Sequence, residues 1–177
     1  MKEYRINFLG FGNVGRALAR LLATKSSELR ETLGIECRIS GVATRRLGWL
    51  CADQGFDTQK IVAGNFVAAI AQSNIQDWLS ETSPDIVFET TSLNPDSGQP
   101  AIDYLKTILK SGAHAISANK APIVYAYDEL QEIAATQNRK YLFESAVLDS
   151  APVFSLFRET LPLVKLRGFT GIFNSTT

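Results

Sequence analysis

The stretch Tyr4–Ala23, YRINFLGFGNVGRALARLLA, indicates the fold of this chain. It begins with a short apolar run that is typical of a strand, and it ends in a segment with the periodicity of a helix. The sequence GFGNVG at 10–15 lies between them, so a G-x-G-x-x-G turn joins the strand to the helix. We expect one apolar stripe on this helix, formed by Val14, Leu18, Leu21 and Leu22.

A glycine turn in this position is typical of a site for the pyrophosphate of a dinucleotide. Gly10 permits the tight turn, Gly12 lets the backbone approach the phosphates, and Gly15 lets the helix pack closely on the strand. The unpaired N–H groups and the positive end of the helix dipole then face the anion. The alternative is a glycine-rich turn that binds no ligand, which the flanking strand and helix make the weaker interpretation.

The composition fits one globular domain. The chain has 177 residues, of which 45% are hydrophobic and 20% are charged, which is enough to bury a core. Its 18 Lys and Arg balance its 18 Asp and Glu, so net charge favours neither nucleic acid nor membrane. It has no apolar run of the roughly 20 residues that cross a bilayer, and no signal-peptide pattern. We therefore expect a cytoplasmic protein without nucleic-acid or membrane partners.

Metal and nucleophile chemistry have little support in the sequence. Cys37 and Cys51 are the only cysteines and His114 is the only histidine. Two thiols do not form a disulfide framework, and we expect both to be small buried hydrophobic residues. They share no ligand spacing with His114, so we expect no metal site. A catalytic triad would have to use His114, which precedes a strand, and we disfavour it.

Strand-like and helix-like segments alternate along the chain, which predicts an α/β fold of the Rossmann-like, doubly wound type, with helices on both faces of a mostly parallel sheet. After the first strand and helix, strands are expected at 35–43, 86–88, 114–117, 141–144 and 165–173. Helices are expected at 28–33, 46–54, 65–71, 75–81, 99–111, 127–137 and 152–161, with a surface loop at 56–63.

Three polar or glycine-rich segments follow strands of this sheet, at 10–15, 89–93 and 117–122. The carboxyl ends of parallel strands meet at one edge, so these segments are expected to converge on one crevice. Lys120 is our candidate for chemistry, because a lysine there can hydrogen-bond a carbonyl oxygen and stabilise the alkoxide that forms on hydride delivery. The alternative is an ordinary solvated lysine, which the setting beside the expected nicotinamide cleft makes less attractive.

The end of the second strand bears on the choice of coenzyme. A NAD-preferring site places Asp or Glu about 20 residues beyond the glycine turn, where it binds the ribose 2′-hydroxyl. This chain has Thr44, Arg45 and Arg46 instead. Guanidinium groups match a 2′-phosphate, and no carboxylate repels it. We therefore expect NADP in preference to NAD, with dual use as one alternative and the start of a solvated helix as the other.

Together these motifs resemble the amino-terminal, NAD(P)-binding portion of homoserine dehydrogenase. The matching segments run in the family's order: GFGNVGRALARLL at 10–22, DIVFETTS at 85–92, LKSGAHAISANKAP at 109–122, YLFESAV at 141–147 and GFTGIFNSTT at 168–177. The resemblance implies an NAD(P)-dependent oxidoreductase of threonine and methionine biosynthesis that interconverts aspartate 4-semialdehyde and homoserine. It makes Lys120 one of the family's two active-site lysines.

The resemblance also implies the cofactor contacts by position. Four residues are expected at the pyrophosphate beside Gly10 and Gly15: Phe11, Gly12, Asn13 and Val14. Arg45, with Thr44 and Arg46, is expected at the 2′-phosphate. Thr90, Thr91 and Ser92 are expected beside the nicotinamide ribose, and Lys120 is expected to contact the cofactor as well. Glu144 lies in a segment where the family contacts the cofactor or a nearby cation.

Two departures from the family limit what the resemblance implies. Asp149-Ser150-Ala151 replaces a glycine-rich turn, so we expect Ser150 to be strained or the loop to be reshaped. The family's second active-site lysine and its substrate-binding acids lie beyond the segment that matches residues 174–177, and this chain has no residues there.

The domain expectation follows from these limits. Residues 1–150 are expected to form the dinucleotide-binding domain. Residues 151–177 are expected to form a connecting helix and the first strand of an incomplete substrate domain. That strand should fold back on its own domain or pair with a second copy in a homodimer. The chain alone is then an incomplete enzyme that takes an amino-acid aldehyde or alcohol; the alternative is a non-catalytic dinucleotide-binding or regulatory module that acts with another chain.

Overall fold

The strand that precedes the glycine turn lies at the centre of a seven-stranded sheet. The computed structural model describes residues 1–66, 69–149, 151–161 and 163–171. In chain order the strands are β1 (Lys2–Leu9), β2 (Ile35–Thr44), β3 (Gly48–Cys51), β4 (Ile70–Gln72), β5 (Ile86–Glu89), β6 (His114–Ser117) and β7 (Tyr141–Leu142). Their order across the sheet is β4-β3-β2-β1-β5-β6-β7.

The sheet is parallel except at one edge. β1 pairs in parallel with both β2 and β5, and β6 pairs in parallel with β5 and β7. Only β3 pairs antiparallel, with β2 on one side and β4 on the other. This arrangement confirms the predicted Rossmann-like fold, to which an antiparallel extension is added beyond β2.

Helices cover both faces of the sheet. They are α1 (Asn13–Thr24), α2 (Ser26–Leu33), α3 (Thr58–Val62), α4 (Ile75–Thr82), α5 (Ala101–Lys110), α6 (Ala121–Thr136) and α7 (Val153–Thr160), with a 3-10 turn at Glu144–Ala146. Phe8 and Leu9 are adjacent on β1, so their side chains point to opposite faces. Phe8 packs with Ala19 of α1 and Ile61 of α3. Leu9 belongs instead to a core cluster that includes residues of α4, α5 and α6. Within the described residues, no helix has the length and apolarity that a membrane span requires.

The buried stripe of α1 differs from the predicted one. Gly15 and Ala19 are its buried residues, and Leu18 and Leu22 pack beside them. Val14 and Leu21 are more than half exposed, so the prediction was wrong for those two. The reason is that α1 packs on the sheet through small side chains: a Cβ atom at Gly15 would lie 2.9 Å from the carbonyl oxygen of Gly10.

The segment between β2 and α4 was predicted wrongly. The helix expected at 46–54 is a turn followed by β3, and the loop expected at 56–63 contains α3. The helix expected at 65–71 is not formed by its described residues, where β4 begins at Ile70; positions 67 and 68 lie outside the described residues. Pairing with β2 overrides local helical preference in β3, and Asp57 caps α3 by accepting from the N–H groups of Gln59 and Lys60.

The carboxyl-terminal part confirms the predicted helix but not the predicted strand. α7 forms at Val153–Thr160, but residues 165–171 have no strand structure and are exposed. Among the described residues no strand lies beside them to pair with, and an isolated strand leaves its backbone groups unpaired. Phe169 instead stacks on Phe157 of α7 at 6.4 Å. Ser150, Pro162 and residues 172–177 lie outside the described residues.

Candidate functional site

The glycine turn after β1 has a backbone that other residues do not adopt readily. Gly10 has a φ of +91°, and a Cβ atom there would lie 2.5 Å from the carbonyl oxygen of Thr90. The Thr90 hydroxyl donates to the carbonyl of Gly10 at 3.0 Å, which joins the end of β1 to the end of β5. Gly12 caps α1, and no atom lies within 4 Å of the position of a Cβ there. The backbone at Gly12 is therefore open to a ligand.

A cavity of about 500 Å³ extends from this turn along the carboxyl edge of the sheet. Its volume lies within the range of small-molecule and cofactor sites. Nine of the predicted site residues line it: Gly10, Phe11, Gly12, Thr44, Arg45, Arg46, Thr90, Thr91 and Ser92. The structure thus brings together the turn, the arginine pair and the end of β5. Asn13, Val14, Gly15, Lys120 and Glu144 are not among the described residues that line it.

The arginine pair lies in a tight turn between β2 and β3. The Thr44 hydroxyl accepts from the N–H of Leu47 at 3.0 Å, so Thr44 stabilises the turn. Arg45 and Arg46 are exposed at its tip, and neither forms an ion pair with another described residue. The expected alternative, the start of a helix, is wrong. Both guanidinium groups are available to an anion in the cavity.

Arg16 was not predicted as a site residue, but it lines the cavity and stabilises the glycine turn. Its guanidinium donates to the carbonyl of Phe11 at 3.3 Å and to that of Val62 at 2.9 Å. It also lies over the Phe11 ring, 5.9 Å from the centroid. These contacts tie the turn to α3. The position of Arg16 one residue after the motif was a visible signal, but α3 was predicted to be a loop, so its contact with Val62 was not foreseen.

An aromatic wall of the cavity was also missed. Trp49 of β3 and Tyr104 of α5 both line the cavity and contact each other edge to face, with centroids 5.5 Å apart. Trp78 packs behind Trp49 at 5.5 Å and donates to the carbonyl of Leu50. The wrongly predicted helix at 46–54 hid this arrangement, because the position of Trp49 depends on the antiparallel pairing of β3.

Glu89 at the end of β5 is completely buried. Its Oε1 atom accepts from both the N–H and the hydroxyl of Thr91, at 2.8 and 2.5 Å. Its Oε2 atom accepts from the hydroxyl of Ser117, at the end of β6, at 2.6 Å. One carboxyl group therefore contacts the ends of two adjacent strands. The sequence placed Glu89 at this edge but gave no signal that its side chain points inward.

Lys120 lies beyond the end of β6, with its side chain exposed. It is the N-cap of α6, where its carbonyl accepts from the N–H groups of Ile123 and Val124. Asn119 fixes the segment directly before Lys120: its N–H donates to the Ser117 hydroxyl at 3.0 Å, and its side-chain oxygen accepts from Ala121 N–H at 3.3 Å. Lys120 thus lies at the same sheet edge as the cavity but outside its lining.

Glu144 contacts a helix rather than the cavity. Its carboxylate accepts from the Ser155 hydroxyl at 2.7 Å and from the Ser155 N–H at 3.1 Å. These hydrogen bonds from Ser155 hold the pKa of Glu144 below its usual value, although desolvation opposes them. Glu144 therefore supports the first turn of α7.

His114 lies at the opposite edge of the sheet, at the start of β6. Its Nδ1 atom accepts from the N–H of Lys140 at 3.0 Å. Burial, followed by the charges of Arg139 and Lys140, lowers its pKa. The described residues contain no group of three or more His, Cys, Asp or Glu side chains that could hold a metal ion.

A central parallel sheet, a glycine turn between its first strand and first helix, and a cavity at the carboxyl ends of its strands define a Rossmann domain that binds a nicotinamide dinucleotide. Residues 10–144 match the family described as homoserine dehydrogenase, NAD binding domain. The chain belongs to this family.

Known relatives agree with this assignment. The chain is 31% identical to the NAD(+)-dependent homoserine dehydrogenase of Pseudomonas canavaninivorans, over 100% of this chain and 53% of that protein. It is 30% identical to a homoserine dehydrogenase of Sulfurisphaera tokodaii, over 98% of this chain and 52% of that protein. A hyperthermophilic archaeal homoserine dehydrogenase mutant in complex with NADPH superposes with a TM-score of 0.73 at 28% identity, covering 90% of this chain and 49% of that one. The chain thus spans about half the length of these relatives.

Proposed function

We propose that this chain is the NADP(H)-binding half of a homoserine dehydrogenase-type oxidoreductase, which transfers a hydride between the nicotinamide and aspartate 4-semialdehyde or homoserine. The observation that carries the proposal is the cavity in which the glycine turn, the arginine pair and the end of β5 meet. The relatives are homoserine dehydrogenases, so a purely regulatory module is not favoured. Because the chain spans about half of their length, a complete active site needs further residues.

The proposed binding mode follows the cavity from end to end. The pyrophosphate lies against the turn at Gly10, Phe11 and Gly12, at the positive end of α1, with Asn13, Val14 and Gly15 in the first turn of that helix. The adenosine 2′-phosphate lies against Arg45 and Arg46, and the nicotinamide ribose lies beside Thr90, Thr91 and Ser92. Glu144 is the weakest member of the proposed set, because it already caps α7.

Lys120 is the proposed catalytic residue of this half. Its side chain is exposed just beyond the end of β6, at the sheet edge where we propose that the nicotinamide and the aldehyde substrate meet. An ammonium group there hydrogen-bonds the carbonyl oxygen and stabilises the negative charge that develops on it during hydride transfer. The substrate is orientated by residues outside this chain, so we expect little turnover by the chain alone.

A titration with NADPH and NADH tests the cofactor proposal. The chain should bind NADPH with micromolar affinity. Replacing both arginines, Arg45→Ala with Arg46→Ala, should weaken NADPH binding about 100-fold, because each charged hydrogen bond contributes about a factor of ten. Binding of NADH should change little. Equal losses for NADPH and NADH would contradict the assignment of the arginines to the 2′-phosphate.

Nicotinamide absorbance with aspartate semialdehyde tests the catalytic proposal. We expect turnover only when the chain is joined to the carboxyl-terminal half of a relative, and we expect Lys120→Ala to abolish it without changing NADPH affinity. Rapid turnover by the chain alone would show that it needs no second half.

The domain boundary, assembly and location are also proposals. We place the end of the dinucleotide-binding domain near residue 150, because α7 contacts the preceding body mainly at the 3-10 turn. The exposed apolar residues of 161–171, which include Leu163 and Val164, support contact with a second copy or with the missing half. A cytoplasmic location is supported by Cys37 and Cys51, which form no disulfide, as is usual in reducing compartments.

A further inference from the structure

Burying a carboxyl group is costly unless its oxygens are well bonded. Glu89 is 0% exposed, and burying an apolar side chain at this position would cost less free energy than burying a carboxyl group. Instead, each of its oxygens accepts hydrogen bonds from a different strand end, Thr91 on one side and Ser117 on the other. A group with this arrangement fixes the relative position of the two segments.

The hydrogen bonds continue from Ser117 to the segment that carries Lys120. The Ser117 hydroxyl donates to Glu89 and accepts from the N–H of Asn119. The main chain of Glu89 makes a parallel link, because its carbonyl accepts from the N–H of Ala118 at 3.1 Å. Residues 118 and 119, directly before Lys120, are therefore both held by Glu89, one directly and one through Ser117.

We infer that Glu89 is a positioning residue: through Thr91 and Ser117 it fixes the turn at 90–92 relative to the segment 118–120, so that the nicotinamide end of the dinucleotide and the amine of Lys120 keep one geometry. This inference rests on the proposed function, since it assigns the nicotinamide to the turn at 90–92. Glu89 itself is completely buried and does not line the cavity. The turn that it holds is also bonded to the glycine turn, through Thr90 and Gly10, so we expect its effect to be smallest at the adenosine end, where Arg45 and Arg46 lie.

Two variants interrupt the network at different points. Glu89→Gln keeps the shape and can still accept from Thr91, but it presents an NH₂ group to Ser117, whose hydroxyl proton then loses its acceptor. Ser117→Ala removes the link to Asn119 and leaves Glu89 in place. Thr82→Val is the matched control, because it removes two buried hydrogen bonds of similar length, 2.7 Å from Asn7 and 2.6 Å to the Trp78 carbonyl, at a residue that does not line the cavity.

The measurement compares NADPH with adenosine 2′,5′-bisphosphate, which has the adenosine 2′-phosphate of the cofactor but neither the nicotinamide nor its ribose. We expect Glu89→Gln and Ser117→Ala to weaken NADPH binding about tenfold, the usual effect of one hydrogen bond, and to leave the affinity for adenosine 2′,5′-bisphosphate unchanged. Thr82→Val should change neither affinity, even where it lowers the melting temperature. If one of the two network variants does not fold, the other carries the test.

A second readout follows Lys120 directly. Its acetylation by an amine-reactive ester, quantified by mass spectrometry, should be slowed by saturating NADPH in the unsubstituted chain and less so in both network variants. The inference is overturned if the variants bind NADPH as the unsubstituted chain does, or if both ligands weaken equally, which would indicate a general structural role. If the unsubstituted chain binds adenosine 2′,5′-bisphosphate but not NADPH, or neither ligand, the proposed function fails as well.

Discussion

Gly10 and Gly12 belong to the same turn, but they restrict a substituted side chain in different ways. Gly10 has a positive φ and faces the backbone of Thr90, whereas Gly12 faces open space. The first position is therefore restricted by folding, and the second is restricted only by what approaches it. Substitution with alanine separates the two demands.

Gly10→Ala should destabilise the fold by about 3 kcal/mol, because it combines the cost of a left-handed backbone with that of an overpacked contact. Gly12→Ala should cost only about 1 kcal/mol, because glycine is preferred over alanine at an N-cap, yet weaken dinucleotide binding because its methyl group occupies the approach to the phosphates. Urea denaturation and NADPH titration of both variants check this. Equal stabilities for the two would contradict it.

His114 gives the fold a dependence on pH. Its Nδ1 accepts from Lys140 N–H only when the ring is neutral, and its pKa is lowered from 6.5 in the folded chain. Stability from this residue is thus complete above pH 6.5 and is lost as the pH falls through the lower folded value. The melting temperature of the unsubstituted chain should therefore fall more between pH 7.5 and 5 than that of His114→Gln. Parallel curves for the two proteins would refute this role.

Among the elements, β3 of the antiparallel extension adds to the wall of the cavity beyond the parallel core. It carries Trp49 into the wall beside Tyr104. Trp49 and Trp78 are the two tryptophans of the chain, and Trp78 is completely buried behind the wall. Tryptophan fluorescence therefore reports on this wall.

NADP⁺ does not absorb at the wavelength of tryptophan emission, so it should quench this emission only where it contacts the ring. Trp49→Phe should remove most of this quenching, because Trp49 lines the cavity, and should weaken binding through loss of aromatic contact. Trp78→Phe is the control, and should keep the quenching although it loses the hydrogen bond to Leu50. Quenching that persists in Trp49→Phe and disappears in Trp78→Phe would contradict the position of the wall.

The elements also show what sequence reasoning can and cannot predict. The parallel strands and α4 to α6 were predicted because their apolar runs and glycine or proline boundaries are local features. The start of α6 was wrong, however: the helix begins at Ala121, six residues before the predicted start at 127, and its helical geometry is interrupted at Ala126. β3 was missed because its strand character depends on pairing with β2, a contact that local pattern does not encode. Arg45, Arg46 and Thr90 to Ser92 were placed at the cavity because they directly follow strands that local pattern predicts. The positions of Trp49, Arg16 and Glu89 depend on contacts between distant segments, so they emerged only from the folded chain.

At the scale of the whole molecule, α7 has no buried residue. Its contacts with the preceding chain include Ser155 with Glu144, and Phe154 with Phe143 at 4.9 Å between ring centroids. The seven strands and the residues that line the cavity all lie before this junction. The cavity should therefore not depend on the residues after it.

A chain shortened to residues 1–149 should bind NADPH with unchanged affinity and melt within a few degrees of the longer one, because the lost contacts are few and only partly buried. It should also self-associate less, since it lacks the exposed apolar residues of 161–171, such as Leu163. Light scattering after gel filtration, with an NADPH titration, measures both. Loss of NADPH binding on shortening would show that α7 belongs to the site.

The junction at Glu144 and Ser155 has a consequence for how such a chain evolves. All residues that line the cavity precede this junction, so the preceding part can be joined to a different carboxyl-terminal part without further substitutions. The new part then needs a helix whose first turn carries a hydroxyl group for Glu144. Gene fusion and gene fission at this position would then be tolerated equally. The substrate chemistry of the descendants would be set by the carboxyl-terminal part that each acquires, while dinucleotide binding would be inherited with the preceding part.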